Sequence, residues 1–279
     1  VGEADIINRN GEVHAWDIAR SLTVQSSYED IRIENVMLDC RVESRQAEVS
    51  ISGVRGSTSV INRYGKLELI NLGKDVRVEG SHLQILGRNL AGPLELESSY
   101  EAITLTQVGA AIIRGDNSPV SIESARGDVE IAGRYAQVEL KDIRGNVTVE
   151  GRDLGLQAES IEAERIRIDT TYRDVDLVNF NGETEILLSN ADLVLRPSDL
   201  AQPLDVTASY CRITLHWPTG SSCPLEAQSK NGDIHWELPT PPAVNTTNGH
   251  SILKAFTEQP GPGVRLATTY ADIHIKTQF

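Results

Sequence analysis

The chain has no apolar run approaching membrane-spanning length and no basic run able to neutralise a phosphate backbone. Helical spacing of apolar residues is also missing over any useful length. These gaps argue against a membrane-inserted segment, a nucleic-acid partner and an all-helical fold. With 40 acidic against 26 basic residues, the formal net charge is −14, which also disfavours anionic membrane surfaces. Cysteine is scarce, and three residues do not make a disulfide framework. Cys211 and Cys223 are close in sequence, and their pairing is left open. No HExxH, paired CxxC, GxSxG or glycine-rich phosphate loop is present, so no catalytic residue and no cofactor is assigned.

What the chain does have is a repeat. Tyr28, Tyr64, Tyr100, Tyr135, Tyr172, Tyr210 and Tyr270 each open a segment of the form Tyr-x-x-apolar-x-apolar. Between them lie copies with a polar marker: Asn10, Gln46, His82, Asn117, Asp153, Asn190, Asn231 and, more weakly, Asn248. Three and five residues after the marker run two apolar columns, broken only by Ser251 and Gly87. The position between them is mostly polar, which is the period-two pattern of a strand with one buried face. A second alternating segment precedes each marker, as in Cys40/Val42, Val76/Val78 and Val147/Val149. Two residues before the marker the slot is usually small, as at Ser26, Gly80, Gly115, Gly133 and Thr170, which lets the inward face narrow toward a corner.

A unit of two short strands cannot bury its apolar face alone, whereas stacked units can. The expected fold is therefore all-β: a single-domain β-solenoid over residues 1–279, parallel β-helix-like. It would have about 15 coils of roughly 18 residues, two strands per coil. Cys40 falls in an inward column and is expected to behave as a small apolar residue. Irregular Pro- and Gly-rich insertions are expected at 217–224, 238–250 and 257–265. The segment opens inside a repeat without an initiator Met and reads as a processed or trimmed product, any targeting segment being absent from it.

The segments ARGDVEIAG (125–133), KNGDIHWEL (230–238) and TTYADIHIK (268–276) resemble the β-strand repeats of a bacterial adhesin-like family of unknown function. That resemblance covers nearly the whole chain. It implies an exported, non-catalytic β-solenoid of the cell envelope or the exterior, and it brings no set of functional residues to transfer.

Candidate sites are few. Tyr28, Tyr64, Tyr100, Tyr135, Tyr172 and Tyr210 would form an edge with rings about 9.5 Å apart on alternate coils. Such an edge could stack against sugars, although rings covering the corners of their own coils is the simpler reading. Carboxylates recur two residues after the marker (Glu12, Asp30, Glu48, Asp174, Asp192, Asp233, Asp272) and read as corner residues that hydrogen-bond the turning backbone. His14, His235 and His274 share an outward slot. The last two are expected two coils apart, about 9.5 Å, with Ile252 between them, too far for one zinc ion. No metal site is therefore expected. Trp236 stands in an inward column and reads as core.

The functional expectation is a non-enzymatic envelope or secreted scaffold presenting an acidic repeat surface to a glycan or a surface protein. A polysaccharide-processing β-helix enzyme and a self-assembling filament are the alternatives. Clustered Asp, Arg and His around residues 217–265 would favour the enzyme.

Overall fold

The computed structural model describes residues 2–277 except 222, 240, 241, 243, 248 and 260. The fold is all-β, a parallel β-solenoid with no helix among the described residues. It divides into two compact units, one through Ala136 and one from Gln137.

In the first unit, equivalent strands of successive coils pair in parallel. Ile31 faces Val49 and Val49 faces Leu67, so the three lie in one interior file. The partner file on the preceding strands runs Leu22, Cys40, Thr58, Val76 and Leu94. All of these side chains are buried. Each fully buried Val, Leu or Ile contributes about 1.5–3 kcal/mol, and repetition of the pattern from coil to coil makes the stack stable. Burial without a polar partner pushes the Cys40 thiol up to about 12, as expected of an inert core cysteine.

The coil turns where the backbone enters the left-handed region. His82, Tyr100, Asn117 and Tyr135 all have φ between 53° and 78°. A second such corner follows seven residues after the marker, at Asp17, Asn35, Gly53, Asn71, Asn89, Gln107 and Ser124. Asn, Asp and Gly tolerate this conformation best, which is why they recur there. Side chains at this second corner bond up the stack: Asn35 Nδ2 donates to Asp17 Oδ1 at 3.0 Å, and Asn89 Nδ2 to Asn71 Oδ1 at 2.7 Å. One residue further on, Ile18, Val36, Val54, Leu72, Leu90, Val108 and Ala125 form a third buried column.

The small slot before the marker has a direct cause. A Cβ added at Gly133 would stand 1.9 Å from the Gly115 carbonyl oxygen, and one at Gly115 would stand 1.7 Å from that of Ser98. The obstacle is backbone of the neighbouring coil, which cannot swing aside. Gly133→Ala is therefore expected to destabilise the first unit by about 1–3 kcal/mol. The matching control is Gly2→Ala, where an added Cβ meets nothing within 4 Å. Urea unfolding of the two variants beside the wild type checks the difference.

The second unit repeats the pattern, with Leu156, Val175 and Leu193 in one file and a register shift between Glu162 and Arg165. Left-handed corners fall at Asp153, Tyr172, Asn190, Tyr210, Asn231 and Tyr270. Beyond Trp217 the coils stop following chain order. The strand Leu204–Ser209 pairs in parallel with Val264–Thr269, which pairs in turn with Leu225–Lys230. On the other side of the coil, Ile213–Trp217 pairs with Ile273–Thr277, which pairs with Ile234–Trp236. The coil latest in sequence is thus inserted between two earlier ones. The remaining edge of Leu225–Lys230 is covered by an antiparallel strand, His250–Ala255, itself paired with Val244–Thr247.

Three expectations change here. The copy marked by Asn248, a residue outside those described, is not a parallel coil: its columns Ser251 and Leu253 belong to the antiparallel strand. There are accordingly fewer coils than the about 15 that the markers suggest. The insertion 238–250 also contains the strand Val244–Thr247, and 257–265 runs into the strand that starts at Val264. The cause is backbone satisfaction: a solenoid edge leaves a row of N–H and C=O groups unpaired, and the hairpin covers it.

Cys211 and Cys223 are both buried and free. Trp236 is half-buried rather than core, with its ring 6.1 Å from that of Phe256. Trp217 is buried against the same phenylalanine at 5.6 Å, and its Nε1 donates to the Ser221 carbonyl at 3.0 Å.

Candidate functional site

In the first unit Tyr28, Tyr64, Tyr100 and Tyr135 stand at the marker corner, each with about half its surface open to solvent. Isolated bridges link Tyr28 to Gln46 and Gln46 to Tyr64, so the marker positions lie directly above one another. The His82 ring fills the gap between Tyr64 and Tyr100, stacked at 5.1 and 4.6 Å. This alternation of tyrosine and a second residue type is the one read from the repeat.

In the second unit Tyr172 and Tyr210 occupy the same corner and are equally exposed. The Arg152 guanidinium sits 5.5 Å from the Tyr172 ring centroid, a cation–π arrangement. Beside Tyr172 a groove is lined by Gln137, Gln157, Asp174, Asp176 and Asp192. The expected spacing fails at Tyr210, because the inserted coil brings Tyr270 directly onto it, with rings 4.9 Å apart and 8° from parallel.

Five of the seven tyrosines (Tyr100, Tyr135, Tyr172, Tyr210 and Tyr270) have φ between 55° and 78°. For a residue without a short hydrogen-bonding side chain this conformation costs of order 1–2 kcal/mol. The Asn and Asp markers in the same slot avoid most of that cost. The recurrence of Asn and Asp in the marker slot is itself a sequence signal for a left-handed corner.

The carboxylate column behaves as corner chemistry where its bonds are defined. Asp174 Oδ1 accepts the Asp192 backbone N–H at 2.8 Å, and Asp272 Oδ1 accepts that of Asp233 at 2.8 Å. Along the first unit a groove passes Glu12, Asp30, Glu48 and Glu68, with Arg32 and Lys66 among them. Elsewhere the acidic groups alternate with arginine, as in the run Arg77, Glu95, Arg114, Glu130 with contacts of 3.1, 3.8 and 3.2 Å. Exposed pairs of this kind contribute about 0–1 kcal/mol each and mark a solvated face. Asp116 is held below the usual carboxylate range, chiefly by its hydrogen bond from Arg134.

The histidine expectation is overturned. His235 and His274 are register partners on adjacent strands, not two coils apart, and Ile252 does not lie between them. Their rings stack at 4.5 Å, 16° from parallel. Asp272 joins them, with its Oδ2 3.7 Å from His235 Nε2. One ligand atom from each of the three lies within 4.8 Å of the others. The cause is that the Asn248 copy leaves the stack as a hairpin, so no coil stands between them. His14, in the same slot of the first unit, packs edge-on against Trp16 at 5.4 Å instead.

No curated protein and no solved structure matches the chain. The family model described as Toastrack DUF4097 matches residues 103–276, a span that begins on the strand Ile103–Val108 and ends on Ile273–Thr277. The match takes in well over half of the sequence, including the exchanged coil and its hairpin, and the chain belongs to the Toastrack DUF4097 family.

Proposed function

We propose that this chain is a non-enzymatic scaffold of the cell envelope or exterior, presenting an acidic repeat surface edged by tyrosines to a glycan or a surface protein. The observation that carries the reading is the left-handed backbone at Tyr100, Tyr135, Tyr172, Tyr210 and Tyr270. Strained positions that hold large exposed rings where Asn would sit more comfortably are a mark of function. The groove beside Tyr172, with amides and carboxylates flanking an aromatic face, has the chemistry that recognises sugar hydroxyls. Envelope placement rests on the resemblance to exported adhesin-like repeats.

The test compares the wild type with a variant carrying Tyr64→Ser, Tyr100→Asn and Tyr135→Asn in a screen of glycans and proteins. Binding is expected to weaken about tenfold or more, with thermal stability unchanged or raised because Asn relieves the corner strain. Equal binding by both proteins would remove the tyrosine edge from the proposal.

One observation favours the polysaccharide-processing alternative: Asp272, His235 and His274 gather at the exchanged coil. A hydrolase or lyase activity that vanishes in His274→Gln would replace the scaffold reading. End-to-end filament growth is disfavoured by the hairpin that covers the last parallel strand.

A further inference from the structure

We infer that His235, Asp272 and His274 form a binding site for a divalent transition metal, of which zinc fits best, at the exchanged coil of the second unit. The site is independent of the tyrosine surface and of the function proposed for it.

The donor set comes first. Two imidazoles and one carboxylate are the ligands that zinc takes in open three-ligand sites, where a water completes the tetrahedron. Imidazole also suits copper and nickel, whereas calcium and magnesium want oxygen donors throughout. The three candidate donor atoms lie within 4.8 Å of one another. Ligands around a tetrahedral zinc, with bonds of about 2.0–2.1 Å, stand roughly 3.3–3.4 Å apart. Closing that difference takes an inward swing of the imidazoles about their own side-chain torsions. His235 and Asp272 have room for it, each keeping nearly half of its side-chain surface in solvent, at 46% and 44%.

The backbone holds the site better than a chance surface cluster would be held. His235 and His274 sit on hydrogen-bonded parallel strands in fixed register, so both side chains leave the sheet on the same side. Asp272 lies two residues before His274 and faces the same way. Its Oδ1 is tied to the Asp233 backbone N–H at 2.8 Å, which leaves Oδ2 directed at His235. An outer hydrogen bond that orients a ligating carboxylate is a recurrent feature of built metal sites.

The charges nearby are compatible with a cation. Arg212, beside Asp272 in the register, is paired with Asp192. Lys276 has Glu237 at 3.8 Å.

The site also ties the inserted coil to the coil stacked on it. Had the Asn248 copy wound as a parallel coil between them, the two histidines would be separated by about 9.5 Å and could not share an ion. Joining a residue from the strand Ile234–Trp236 to two from the inserted coil, a bound metal would clamp the exchange.

The experiment titrates metal-stripped protein with zinc chloride by calorimetry, and follows the melting temperature with and without zinc. One zinc per chain and a raised melting temperature are expected. His235→Gln and His274→Gln should each weaken binding by at least about tenfold, and Asp272→Asn should weaken it while keeping the backbone hydrogen bond. His14→Gln and His250→Gln should bind as the wild type does. Melting without zinc shows whether each variant is folded, and all five are expected to match the parent there. Absence of zinc uptake, or equal uptake by the His235→Gln/His274→Gln double variant, would overturn the assignment.

Discussion

Removing residues 264–279 is expected to unfold not one coil but everything beyond Trp217. The strand Leu225–Lys230 has Val264–Thr269 along one edge and the hairpin strand His250–Ala255 along the other. Ile234–Trp236 pairs with Ile273–Thr277. Deletion removes Val264, Leu266, Ile273 and Ile275, all of them buried. At about 1.5–3 kcal/mol each, their loss rivals the whole margin of about 5–15 kcal/mol that keeps a domain folded. It also strips the parallel partner from the coil above and from the coil below. Hydrogen exchange should therefore show amides of 225–230 and 250–255 losing protection together with the neighbouring face of 204–217. If 225–255 stayed protected in the truncated chain, the coil would have docked directly onto Leu204–Trp217. The inserted turn would then be dispensable.

The second large effect is expected at Ile51→Asp. Ile51 is fully buried and packs in file with Ile33 below and Leu69 above. The substitution removes an aliphatic contact on both sides and places a carboxylate where no cation or donor is within the file. An unpaired buried charge costs several kcal/mol beyond the lost burial, so destabilisation above about 4 kcal/mol is expected. Because each coil contacts only its neighbours, unfolding should spread through the first unit from that point. Ile51→Val, which keeps the shape of the column, should cost about 0.5–1.5 kcal/mol. Chemical denaturation monitored by circular dichroism measures both. Similar midpoints for the two variants would mean that the file is not the continuous support described above.

The parallel architecture and its inward files were legible because period-two alternation and a fixed repeat reflect the same physical constraint. Ile31, Val49 and Leu67 lie in the file that their spacing implies, and Cys40 lies in its neighbour. The left-handed corners were legible in principle, since Asn117, Asp153, Asn190 and Asn231 advertise a conformation that other residues resist. What the sequence hid was the order of the last coils. Repeat copies share the same side-chain pattern, so any copy can dock on any other, and periodicity carries no information about which one does. The apparent copy at Asn248 concealed the juxtaposition of His235 with His274, and the degeneracy concealed that of Tyr210 with Tyr270. It also concealed the hairpin, since the alternation around Ser251 and Leu253 reads identically for parallel and antiparallel strands.

Synthesis delivers residues in order, so the segment 225–255 emerges before the turn that will support it. Simple templating, in which every new rung zips onto its predecessor, carries the chain only as far as Trp217. The lid reaches its native seat only when Val264–Thr277 occupies the place beneath it. Completion is thus a docking event rather than another round of winding, and its rate should depend on the length and stiffness of the tether at 256–263.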